Sequence, residues 1–128
     1  MPYRFTRHYT REEARQLLPQ VRDWLAALNR LHLEVERFDQ RLNGLRQDGH
    51  DVGGETVNHW IRALAGMQEI LATFQLRQIV VKDLFRGLVD FPAILEGKEV
   101  FLCWESGEAD IEFWHDLESG YSGREKLE

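Results

Sequence analysis

Cysteine and long apolar runs are scarce in this 128-residue chain, and each shortage excludes something. The single cysteine, Cys103, rules out an internal disulfide and any zinc site built from several cysteines. No stretch approaches the roughly 18 apolar residues that a membrane-spanning helix needs. The opening residues, Met1-Pro2-Tyr3-Arg4-Phe5, lack the apolar centre of a secretory signal. The expected setting is the cytoplasm, with no membrane partner.

Lysine is absent from residues 1–47, where nine arginines and six acids leave +3. Residues 48–95 hold four basic and six acidic groups, or −2, and residues 96–128 hold three and ten, or −7. The net charge is −6, and phosphate neutralisation dominates nucleic-acid binding, so no nucleic-acid partner is expected. The two ends of the chain suit each other, or the opposite ends of a second copy. A chain of this size buries roughly two-thirds of its unfolded surface, enough for one domain over residues 1–128.

The first half reads as a helical hairpin over residues 10–77. Thr10-Arg11-Glu12-Glu13 has the spacing of a capping box, in which Thr10 and Glu13 satisfy each other's backbone N–H. Apolar residues then recur in alternating steps of three and four, from Ala14, Leu17, Val21 and Trp24 through Leu28 to Leu45. That pattern predicts a long helix with a coiled-coil seam, which Leu18 and Leu25 widen towards a globular-type face. Pro19 lies inside it and predicts a kink, not a stop, because the repeat does not slip. Gln47 to Gly54 is a loop rich in glycine and aspartate. The same steps return from Val57, Trp60 and Leu64 to Phe74. An antiparallel hairpin follows.

The helices are unequal, with expected lengths of about 54 Å and about 33 Å at 1.5 Å per residue. The overhang from Thr10 to Asp23 must therefore bury Leu17, Leu18 and Val21 against the C-terminal part or a second subunit. A homo-oligomer is expected, a dimer or a dimer of dimers that completes a four-helix arrangement.

Residues 78–128 read as an acidic β module. The strands are Ile79 to Asp83, Leu88 to Phe91 stopped by Pro92, Lys98 to Trp104, and Asp110 to Asp116, joined by glycine turns as a meander. The tail from Ser119 looks irregular. Alternation puts Val100, Leu102 and Trp104 on one face and Phe101 and Cys103 on the other. It groups Ile111, Phe113 and His115 against Glu112, Trp114 and Asp116. The fold class is α+β: a long antiparallel two-helix hairpin followed by a small antiparallel meander.

The run Val81-Lys82-Asp83-Leu84-Phe85-Arg86-Gly87-Leu88-Val89-Asp90-Phe91-Pro92-Ala93 is similar to a block in the bacterial family called domain of unknown function 2203. Val100 to Trp104, Gly107-Glu108, Phe113-Trp114-His115, Gly120 and Gly123-Arg124 extend the resemblance, as does Thr10 to Pro19. The resemblance implies a small bacterial protein and supplies no activity.

Candidate sites concentrate in the β module. Asp83 and Asp90 flank the Arg86-Gly87 turn and, facing across a hairpin with Arg86 and Arg124 in reach, would make a polar pocket for a cation or small ligand. Turn capping and arginine pairing account for the same aspartates. His115 with Glu108 offers a mixed site for a divalent metal such as zinc or manganese. Glu112 and His115 have di-iron spacing, but on a strand they point to opposite faces. Trp104, Trp114 and Tyr121 could stack a ring or simply fill the core. Cys103 reads as a small buried hydrophobe, or as a nucleophile if His115 served as its base. Two functions stay open: a non-enzymatic oligomeric interaction module, and a metal- or ligand-dependent enzyme or binding protein with its site in the β module.

Overall fold

The computed structural model describes residues 2–49 and 54–128. Helix α1 spans Arg11–Gln47 and α2 spans Glu55–Leu76. Five strands follow: β1 Val80–Asp83, β2 Leu88–Leu95, β3 Lys98–Glu105, β4 Phe113–Asp116 and β5 Glu125–Lys126. They pair antiparallel in chain order. The loop expected between the helices falls partly on residues 50–53, outside the described residues. No described helix is long and apolar enough to cross a membrane.

Helix α1 begins where the sequence places it. The Thr10 hydroxyl accepts from the Glu13 N–H at 3.1 Å, and the Glu13 carboxylate accepts from the Thr10 N–H at 2.9 Å. The helix runs through Pro19 unbroken. Contacts between the helices fall in antiparallel order: Trp24 meets Phe74 edge-on, Gly66 faces Leu31, and Phe38 stacks on His59. A Cβ at position 66 would come 3.1 Å from Leu31 Cδ1, so glycine there lets the helices approach.

The seam differs from the simple heptad. Ala14, Leu18, Val21, Leu25 and Leu28 are the buried residues of α1, while Leu17 and Trp24 are only partly covered. The reason is the partner. The first half of α1 lies on the sheet, and a broad flat surface selects a wider stripe than a single helix does. That sheet belongs to the same chain and covers the overhang. Leu18, Val21 and Leu28 join Phe74, Val89, Phe91, Leu102, Trp104 and Ile111 in one core.

Four expectations for the sheet need correction. Pro92 does not stop β2, which continues to Leu95. Its carbonyl accepts from the Tyr9 N–H at 2.7 Å, so the N–H that proline lacks would point the same way, past the end of β1 and away from β3. β4 begins at Phe113, not Asp110. Ile111 therefore escapes the alternation and enters the helix-facing core, while Phe113 and His115 take the other face. The tail forms a helical turn at Tyr121–Gly123 and then β5, because β4 would otherwise be an exposed edge.

Side chains fasten the module to the hairpin. Arg15 grips Asp110 through two bonds of 2.7 and 2.9 Å, and Arg11 donates to the Ile111 carbonyl. The N-terminal strap is held by Glu99, which accepts from the Arg4 and Phe5 N–H groups and His8 Nε2, and by Gln78, which accepts from the N–H groups of Thr6 and Arg7.

Candidate metal centre

Glu96 and Gly97 form the two-residue turn between β2 and β3, both with positive φ, 52° and 79°. Such a turn matches the twist of its strands and fixes the register: Leu95 lies opposite Lys98, and hence Asp90 opposite Cys103. On the other side of β3, Phe101 pairs with His115 and Cys103 with Phe113. Directly opposed residues share a face. Asp90, Cys103 and His115 therefore meet on the face turned away from the helices, contributed by β2, β3 and β4.

All three are buried, at 1, 1 and 2 % exposure. One ligand atom from each lies within 4.8 Å of the other two. Phe5 reaches Phe101 edge-on from the N-terminal strap, and Phe101 in turn lies against His115. Arg124 lies 3.6 Å above the Phe113 ring and 4.7 Å from that of Tyr121, and pairs with Glu108. Its Nη1 donates to Cys103 Sγ at 3.9 Å.

The hydrogen bonds define the imidazole. His115 Nδ1 lies 2.7 Å from the Asp116 carbonyl, which can only accept, so Nδ1 carries the hydrogen. Nε2 faces Asp90 Oδ1 at 3.0 Å. A neutral ring would present its lone pair to a carboxylate there, so a proton lies between the two atoms, on the ring or on the carboxyl, and a metal ion ligated by Nε2 would have to displace it. The other carboxylate oxygen, Asp90 Oδ2, is buried with no partner among the described residues.

The pKa directions agree. Burial pulls His115 down, but the Asp90 bond and the Asp116 carbonyl outweigh it, leaving the ring above its ordinary value. Burial, reinforced by the charge of Asp90, pushes the Cys103 thiol up to about 12, and Arg124 does not offset this. A thiol so held is no nucleophile at neutral pH. A bound cation reverses that balance, because metal coordination deprotonates a thiol outright.

The residues singled out from the sequence divide into groups. Asp90, His115 and Arg124 come together. Asp83 lies opposite Leu88, not Asp90, because β1 bulges between Val81 and Asp83; its carboxylate caps the turn by accepting from the Arg86 N–H. Arg86 pairs with Glu105 and lies over Tyr121. Trp104 is wholly buried on the helix side and donates to the Glu108 carbonyl. Glu108 holds Arg124 and the Glu105 N–H, not His115. Sequence reading did not join Cys103 to Asp90, although the Glu96-Gly97 turn carried that signal.

The profile of the DUF2203 family, described as an uncharacterized conserved protein, matches residues 7–127, and the chain belongs to that family. No curated protein and no solved structure matches it.

Proposed function

We propose that this member of the DUF2203 family is a metal-binding protein whose β module holds one divalent ion of the zinc class through Asp90, Cys103 and His115. The observation that carries the reading is the meeting of three buried donors. One donor atom each of His115, Cys103 and Asp90 lies within 4.8 Å of the other two in a buried site, where Asp90 Oδ2 has no partner among the described residues. The second nitrogen of the histidine is fixed by a backbone carbonyl, as metal-ligating histidines are. A thiolate, an imidazole and a carboxylate together suit a borderline-soft ion. Two ligand charges neutralise a divalent ion, and Arg124 beside the sulfur stabilises the thiolate. Three protein ligands leave one tetrahedral position for water or a small ligand, the arrangement of a reactive centre more than of a closed structural one.

The chain works as one domain, its hairpin and sheet sharing a core, and acts in the bacterial cytoplasm, where a lone thiol stays reduced. Elemental analysis of the purified protein tests the metal. One equivalent of zinc or a neighbouring metal is expected. It is lost in Cys103→Ser and His115→Ala variants that keep their circular dichroism. Cobalt substitution should give a thiolate charge-transfer band that Cys103→Ser removes. Protein that takes up neither metal overturns the reading.

A further inference from the structure

Helix α2 carries a second uncharged face that its own chain leaves open. The first, with Ala63, Met67, Ile70 and Phe74, turns to α1 and the sheet. The second follows the same helical spacing through Ile61, Leu64, Ala65, Gln68, Leu71 and Ala72. Ile61 and Leu71 are 52 and 42 % exposed, and Leu76 at its end is 84 % exposed. No charged residue interrupts this stripe, in a chain that is 30 % charged. Towards its C-terminal end it opens into a groove of about 680 Å³, bounded by Gln75 and, across from the helix, by Phe5, Ile79, Val80 and Val81.

We infer that this face binds the same face of a second copy, α2 against α2, antiparallel about a two-fold axis at Gln68. The spacing supplies the argument. Positions equally far from Gln68 meet at the same level in such a pair. Leu64 then meets Ala72 of the other copy, Ala65 meets Leu71, and Gln68 meets itself. Each leucine packs on an alanine of the other copy, large on small, which lets the backbones approach. The two amides at the axis bond to each other and hold the register. Ile61 arrives at the level of Gln75, where the groove of the opposite copy receives it. An uncharged stripe offers nothing to an acidic or basic partner, and its symmetry suits an isologous contact. Two hairpins joined this way form a four-helix arrangement. The inference is independent of the metal centre.

Sedimentation of the full chain at micromolar concentration should give a dimer. Ala65→Glu with Ala72→Glu, both at exposed positions, should give a monomer of unchanged helicity. Gln68→Cys, on the axis, should cross-link under mild oxidation. Arg62→Cys should not, since the two copies of that position would stand about 18 Å apart at 1.5 Å per residue; Cys103 is buried and does not compete. A monomeric wild-type chain, a dimer that survives the double substitution, or equal cross-linking at both cysteine positions overturns the inference.

Discussion

The two faces of the sheet are built to opposite rules. The helix-facing side is hydrocarbon: Val89, Phe91, Val100, Leu102 and Trp104 meet the α1 stripe. The distal side buries an aspartate, a histidine and a thiol as completely as the first buries leucine. Dispersion and water exclusion stabilise the first side without further conditions. The second stabilises the fold only where its buried polar groups are paired, as His115 is with Asp90. The contrast teaches that burial alone does not define a core. One face holds the fold together; the other is held in place by it.

Removing a large side chain from the helix-facing side should cost most. Trp104→Ala leaves a void and removes the Nε1–H bond to the Glu108 carbonyl, so about 3–5 kcal/mol of stability should be lost. Urea unfolding followed by circular dichroism measures it. A loss under 1 kcal/mol would dissolve the contrast between the faces.

The distal pair sharpens the same contrast in metal-free protein. His115→Ala leaves Asp90 buried without its partner, and about 3 kcal/mol should go, the lower end of the usual range because a lone carboxyl can take up a proton. Replacing both at once, Asp90→Leu with His115→Phe, should cost under about 1 kcal/mol or even stabilise, since apolar groups then fill the space. Stability that falls further in the double variant than in the single would show that the pair is structural.

Thr10→Ala tests how far the hairpin's beginning matters to the sheet it covers. Loss of the cap should cost about 1 kcal/mol, well below either core effect. Chemical denaturation should show the midpoint move with the slope unchanged.

The legibility of the molecule follows the same division. The helices were readable because their period repeats over many turns and Thr10-Arg11-Glu12-Glu13 marks a start. The meander was readable from its glycine turns. Half of the site was legible too: a two-residue turn at Glu96-Gly97 dictates that Asp90 faces Cys103, and counting back from it would have found the pair. His115 was beyond that arithmetic. β3 and β4 are joined through residues 106–112, whose irregular path fixes no register and lets Ile111 leave the alternation. The choice of cover for the α1 overhang, its own sheet, also lies in tertiary packing, which no local pattern encodes.

The smallest effect is a pH dependence set by the strap that closes over the distal face. Burial tends to raise the Glu99 pKa, but the bonds from His8 and from the Phe5 and Arg4 N–H groups prevail, and it stands below the ordinary carboxylate value. A carboxylate with a lower pKa folded than unfolded binds fewer protons in the native state. Its contribution is full above the unfolded value, about 4.3, and is lost as pH falls through the folded one. Stability should therefore decline on the acid side of that value more steeply in the wild type than in Glu99→Gln. The strap carries Phe5, which meets Phe101 edge-on beside His115. Hydrogen exchange on acidification should accordingly rise first in residues 4–8, while the β2–β3 amides stay protected. Uniform loss of protection across both regions would mean that the strap and the sheet open as one unit.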